Sequence, residues 1–194
     1  MTTRLGQGGP AHPPTHIRDM TVDDCEAVAN VRVRGWQHAY AGLVPQSHLD
    51  VMDAAQDAVL RRARFADDAG RSVSVVAERD GSVIGWACCG PHRADVRHTG
   101  GGEVYALYVL PEHLSTGAGR ALMAEMIARA SGLGHRVLRL WVLAENHRAR
   151  RFYEKAGFLP DGAEASFGVG CASVPEVRYA MRISASDAAA ANRG

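Results

Sequence analysis

Lysine is nearly missing from this chain, as are long apolar runs, paired thiols at metal-ligand spacing and any excess of one charge. Of the 22 Lys and Arg side chains only Lys155 is a lysine, and beside abundant alanine and glycine that skew reads as a bias of codon composition rather than as chemistry. Lys+Arg 22 against Asp+Glu 21 leaves a net charge of +1. That balance gives no sequence-independent grip on nucleic acid or on anionic lipid, so neither a nucleic acid nor a membrane is expected as a partner. The longest apolar run, Val104 to Leu110, falls far short of the ~20 residues of a bilayer span, and no signal-peptide-like segment opens the chain. A cytoplasmic protein is expected. Cys25, Cys88, Cys89 and Cys171 show no C-x-x-C spacing, so reduced, mostly buried thiols are expected, with Cys88 and Cys89 on opposite faces if they share a strand. No histidine pair stands at H-x-x-x-H spacing with a partner acid, so no metal site is expected.

At 194 residues the chain is about 1.3 times the ~150 residues of a single-domain prior, which fits one domain with tails. Residues 1–14 and 184–194 lack periodic hydrophobics and read as tails around a domain at 15–183. Within it, His16–Asp19 is a short strand candidate, and Thr21 with Asp24 forms a capping-box pattern that opens a helix to about Tyr40. A second helix is predicted over His48–Asp67. Arg71–Glu78 and Ser82–Gly90 are β-prone runs around Asp80-Gly81, a hairpin signal. EVYALYVL, 103–110, is too apolar on both faces to be anything but a central strand. A helix follows from Gly117 to about Ser131, then a strand over Arg136–Leu143, a helix over Asn146–Ala156 stopped by Gly157, and a terminal strand or pair that includes Glu176–Ile183. A helix between strands 103–110 and 136–143 makes those two parallel. The fold class is therefore α/β.

Two stretches carry chemistry. In EVYALYVLPEHLSTGAGRALM, 103–123, a buried strand turns into a helix whose first turn holds Gly117 and Gly119. Such a start presents unpaired N–H groups and lets a phosphate approach closely, although a glycine-rich turn without a ligand has the same spacing. Other nucleotide motifs fail, because no G-x-x-x-x-G-K-[ST] is present and Leu122 replaces the third glycine of G-x-G-x-x-G. In LWVLAENHRARRFYEKAGF, 140–158, Asn146 and Tyr153 lie about two helical turns apart and share a face, with Phe152 turned elsewhere.

Together these stretches resemble the GNAT superfamily of N-acetyltransferases. LYVLPEHLSTGAGRAL is similar to its coenzyme motif [QR]-x-x-G-x-[GA], and NHRARRFYEKAGF to N-x-x-[AS]-x-x-x-Y-x-x-x-G-F; VRVRGWQHAYAGLVP, 31–45, and PEVRYAMRI, 175–183, also resemble bacterial members. The resemblance spans roughly His16–Ile183. It implies a single-domain fold with a mixed, mostly antiparallel sheet, a parallel pair at the coenzyme site and flanking helices. It also implies acetyl-CoA as cosubstrate without a metal, and a small-molecule or peptide amine as acceptor; a homodimer is the family habit. One departure stands out: Leu114 and Ser115 occupy positions where the family has Gln or Arg and often Gly.

The implied coenzyme contacts are Leu107, Tyr108 and Val109 along the strand, Ser115, Thr116, Gly117, Ala118, Gly119 and Arg120 at the helix start, and Asn146 and Tyr153. By the same resemblance Tyr153 is the general acid for the leaving thiolate and Glu103 takes the ammonium proton, directly or through water. The alternative for Glu103 is an exposed strand-end glutamate. Trp36 and Tyr40 are candidates to wall the acceptor pocket, with ordinary core packing as the alternative. In the loop 91–102, Arg93 and Arg97 with His92 and His98 make a cationic rim that favours an acceptor bearing an anionic group; a solvated loop is the alternative. Cys88 and Cys89 read as buried strand residues rather than acetyl carriers. Two rival functions remain at this level, a catalytically degenerate acyl-CoA-binding module and an N-acyltransferase for longer acyl-CoA.

Overall fold

The computed structural model describes residues 13–68, 70–93, 101–170 and 172–183. Arg97 and His98 lie outside the described residues, as do Cys171, residues 1–12 and residues 184–194. One seven-stranded sheet organises the chain, in the order β1-β2-β3-β4-β5-β7-β6. Its strands are β1 His16–Asp19, β2 Val73–Arg79, β3 Ser82–Pro91, β4 Gly101–Val109, β5 Val137–Leu143, β6 Leu159–Val169 and β7 Ala172–Arg182. All neighbours are antiparallel except β4 and β5, which are parallel. A mixed sheet with one parallel pair is thus what the crossover helix between β4 and β5 dictates.

That helix is α4, Ala118–Gly132. Ala118, Leu122, Met126 and Ala130 recur every fourth residue, and all four are buried against Val75, Ala77, Val104 and Leu138. Burying a leucine or methionine side chain contributes about 1.5–3 kcal/mol, which is why this face and not the helix's intrinsic propensity fixes its position. The opposite face of β2–β4 is covered by α1, Cys25–Ala39, with Cys25, Val28 and Val31 packed on Val76, Trp86 and Cys88. Cys88 and Cys89 fall in the two different cores, as strand alternation requires.

Local chemistry explains the boundaries. Asp24 accepts the Thr21 N–H at 2.8 Å and completes the capping box, behind which one 3₁₀ turn, Val22–Asp24, precedes α1. Asp80 and Gly81 both take positive φ, 50° and 74°, the pairing that a tight hairpin turn needs. The single helix expected over His48–Asp67 is instead two, α2 Gln46–Asp50 and α3 Ala54–Asp67. The break falls at Asp53, which is extended and whose carboxylate accepts the Gln56 N–H at 2.8 Å, so it caps a new helix. α5, His147–Lys155, follows β5. No helix among the described residues is long and apolar enough to cross a membrane.

Candidate active site

The site is built where β4 and β5 part. They pair only from Gly101 to Glu103 against Val137 to Arg139, after which β5 continues along β7 as far as Leu143. From Val104 onward the β5-facing edge of β4 therefore has no strand partner among the described residues, and its main-chain groups face an opening. A bulge sharpens the divergence, because the register with β3 shifts between Cys88↔Ala106 and Cys89↔Val104. Its extra residue, Tyr105, resets the alternation. Val104, Leu107 and Val109 then turn toward α4, while Tyr105, Ala106 and Tyr108 turn toward α1.

At one end of the opening lies the start of α4. Ser115 and Gly117 both adopt positive φ, 64° and 96°, and the first α4 hydrogen bond at this end runs from the Ala121 N–H to the Gly117 carbonyl at 3.0 Å. The N–H groups of Ala118, Gly119 and Arg120 are left without helical acceptors, and no side chain caps this helix. Both α3 and α5 do carry caps, from Asp53 and Asn146. The mouth of α4 is thus an open set of donors at the positive end of a helix, suited to an anion. A Cβ on Gly119 would meet Phe152 and Val109 at no less than 3.6 Å, so packing against the protein does not demand glycine there.

The far wall is α5. Asn146 Oδ1 accepts the Ala149 N–H at 3.1 Å, which leaves the amide nitrogen of this nearly buried side chain without a partner among the described residues. Tyr153 packs edge-on to Phe152 at 5.3 Å, and Phe152 contributes to the α4-side core. Burial, and secondarily the neighbouring Tyr108, push the Tyr153 phenol well above its ordinary pKa. No hydrogen-bond partner for its hydroxyl is present among the described residues. Tyr108 reaches across to Tyr40, hydroxyl to hydroxyl at 3.4 Å. Tyr40 lies edge-on to Trp36 at 4.7 Å, and Trp36 faces Phe167 of β6 at 6.0 Å. Trp36 and Tyr40 therefore belong to an aromatic wall that continues into Tyr108, while also sharing a core cluster with Val44, Leu49 and Val169.

Glu103 is not an exposed strand-end residue but 99% buried, with a relative exposure of 1%. Its carboxylate accepts the Arg93 N–H at 3.1 Å and the Arg93 Nε at 2.9 Å, with a further contact from Nη2. Arg93 also lies over the Tyr105 ring at 4.9 Å. The guanidinium expected on a free cationic rim is therefore already paired. Glu176 of β7 lies near this pair, and burial raises its pKa against the lowering pull of Arg93.

Sequence reasoning missed three contributors. Phe167 sits on β6, whose exposed, glycine-interrupted sequence lacks a strand pattern. Gly35 allows α1 to approach the Tyr108 ring, where a Cβ would come within 3.0 Å of it. Arg79 contacts Thr116 beside the α4 mouth; its signal was the alternation Val75, Ala77, Arg79, which puts a charged side chain on a buried face.

Comparison with known proteins agrees with this geometry. An uncharacterized N-acetyltransferase of Mycobacterium tuberculosis is 36% identical over 144 residues, covering 72% of this chain and 85% of that protein. The L-amino acid N-acyltransferase MnaT of Escherichia coli is 28% identical over 145 residues, covering 74% and 78%. The PaiA N-acetyltransferase of Thermoplasma acidophilum, solved in complex with coenzyme A, superposes with a TM-score of 0.69 at 20% identity, covering 87% and 99%. The model of the acetyltransferase (GNAT) family matches residues 36–158, and with β4 and β5 parting beside an uncapped helix, the chain belongs to that family and is an N-acetyltransferase.

Proposed function

We propose that this chain transfers the acetyl group of acetyl-CoA directly to a primary amine, of a small molecule or a peptide, in the opening between β4 and β5 of a cytoplasmic enzyme. The amides of Ala118, Gly119 and Arg120, with Ser115 and Thr116 shaping the turn, take the pyrophosphate. The free edge at Leu107, Tyr108 and Val109 takes the pantetheine arm and donates an N–H to the thioester carbonyl, where negative charge develops as the amine attacks. Asn146 donates its amide nitrogen to the same arm. As the carbon–sulfur bond breaks, Tyr153 gives its proton to the thiolate, the acylated nitrogen sheds its extra proton to solvent, and the phenol regains one from solvent.

Glu103 accepts the proton of the incoming ammonium. A strand rises ~3.3 Å per residue, and with the bulge at Tyr105 the span from Glu103 to Leu107 matches three residues of β3, Gly90 to Ala87, so Glu103 lies about 10 Å along β4 from Leu107 and works through water rather than by contact. Its oxygens already hold Arg93, and Arg93 must shift for the proton to arrive. The aromatic wall of Trp36, Tyr40 and Tyr108 favours an acceptor with an apolar body. The MnaT relative, named for L-amino acids, makes amino-acid-like amines the first class to test.

The observation that carries this reading is the Tyr153 hydroxyl, which has no hydrogen-bond partner among the described residues, on the helix that walls the opening. Release of free thiol from acetyl-CoA, followed with amino acids, polyamines, aminoglycosides and peptides, is the test. Thiol release dependent on one amine class supports transfer; coenzyme binding without release against the whole panel supports a non-catalytic acyl-CoA module.

A further inference from the structure

Arg79 closes β2, and because it follows Val75 and Ala77 at two-residue steps it points to the side of the sheet that α4 covers. The residue is buried, with 6% relative exposure. Its partners are all neutral: Nη2 donates to Thr15 Oγ1 at 2.6 Å and to the Thr116 carbonyl at 3.4 Å, and Nη1 donates to Thr116 Oγ1 at 3.2 Å. Its Nε is buried without any partner. A guanidinium withdrawn from water is ordinarily matched by a carboxylate, since an unmatched buried charge is costly. Here none of the described carboxylates pairs with it.

What lies in front of Arg79 is a cavity of about 440 Å³ between Pro13–Thr15 and the first turns of α4, bordered by Thr116, Gly117 and Arg120. No acidic side chain is among the described residues that line it. Two guanidinium groups, an uncapped helix start and an absence of acid converge on one space. The turn itself carries the uncharged Leu114 and Ser115.

We infer that Arg79 binds a phosphate group of the coenzyme at the mouth of α4, supplying from β2 the side-chain charge that Leu114 and Ser115 do not. This rests on the acetyl-CoA reading above. Arg79 has two means to act. Its hydrogen bonds hold Thr116, which in turn donates to the His113 carbonyl at 2.7 Å, in the turn that exposes the amides. The second Nη1 proton, which no described group accepts, and the charge remain for the anion.

The test compares the parent chain with Arg79→Met and Arg79→Lys, using calorimetric titration of CoA and of dephospho-CoA, and turnover of acetyl-CoA and of S-acetylpantetheine, which has no phosphate. Arg79→Met is expected to weaken CoA by about tenfold or more, with a shallower salt dependence than the parent, an unchanged kcat at saturation and unchanged use of S-acetylpantetheine. Arg79→Lys is expected to recover part of the loss. An equal loss with dephospho-CoA places the contact at the pyrophosphate, and a loss confined to CoA places it at the 3′-phosphate. A folded Arg79→Met that binds CoA as the parent does, or that loses S-acetylpantetheine turnover in the same proportion, overturns the inference alone. A parent chain that binds no CoA overturns both it and the reading beneath it.

Discussion

The guanidinium of Arg93 closes over the buried carboxylate of Glu103, with Nε at 2.9 Å, while the same residue's N–H approaches the second oxygen at 3.1 Å. Half of this pair is in water, since the Arg93 side chain is 64% exposed and that of Glu103 only 2%. Removing the exposed partner strands the buried one. Arg93→Ala is therefore expected to cost about 1–3 kcal/mol, below the ~3–5 of a wholly buried pair, and Arg93→Ala with Glu103→Gln to recover part of it. Chemical denaturation of the single and double variants measures both. In turnover, Glu103→Gln is expected to depress the rate most below the pKa of the amine, where a proton must be removed. A uniform loss across pH would instead assign Glu103 to architecture.

Tyr153→Phe removes a hydroxyl that has no hydrogen-bond partner among the described residues. Turnover is expected to fall by about 10²-fold or more with little change in the Kd for CoA, the pattern of a group that acts only in the transition state. Because burial raises the phenol well above its ordinary pKa, the acid stays loaded as pH rises. The parent's rate should show no alkaline limb from this residue below about pH 10. Stopped-time thiol assays across pH, paired with calorimetry, check the two halves separately.

Glycine is needed for different reasons at two positions in the α4 turn. Gly117 has φ 96°, so Gly117→Ala forces an L residue into the left-handed region at about 1–2 kcal/mol and should lower thermal stability. Gly119 is helical, and a Cβ there makes only ordinary contacts. Gly119→Val should stay folded yet bind acetyl-CoA at least tenfold more weakly, because its branches occupy the space of the phosphates.

The N-terminus of α1 should contribute to acid sensitivity. Asp24 is held by Arg18 at 2.7 and 2.8 Å and by the Thr21 N–H, and these hydrogen bonds, the Arg18 pair foremost, lower its pKa from 3.8 to about 2. A depressed folded-state pKa means stability that is fully present above the unfolded value and is lost as pH falls from about 4 to 2. After allowance for the partly exposed Arg18, the contribution is roughly 1–2 kcal/mol. Asp24→Asn should erase that part of the pH dependence of unfolding.

How much of this was legible beforehand depended on the kind of signal. Val104 to Leu110 and the four-residue repeat of Leu122, Met126 and Ala130 announce a buried strand and an amphipathic helix, because burial leaves periodicity in sequence. Asp80-Gly81 announces a turn because few residues accept two positive φ values. The break at Asp53 was hidden, since one cap competes with an otherwise helical composition on both sides. The pairing of Arg93 was hidden for a deeper reason: an arginine in a list of 21 says nothing about whether it meets water or a carboxylate. Arg93, expected on a free rim, is bound to Glu103, whereas Arg79 is marked in the sequence only by its place in the alternation Val75, Ala77, Arg79.

In the proposed function, the opening between β4 and β5 carries acetyl transfer to an amine. Its most direct test follows thiol release from acetyl-CoA by the purified chain across the amine panel, with parent and Tyr153→Phe side by side and the acetylated product identified by mass. Amine-dependent thiol release, acetyl on the nitrogen of a primary amine, and a loss of about 10²-fold in a Tyr153→Phe variant that still binds CoA are the expected results. Tight CoA binding with no amine-dependent release, or undiminished turnover in Tyr153→Phe, would contradict this function.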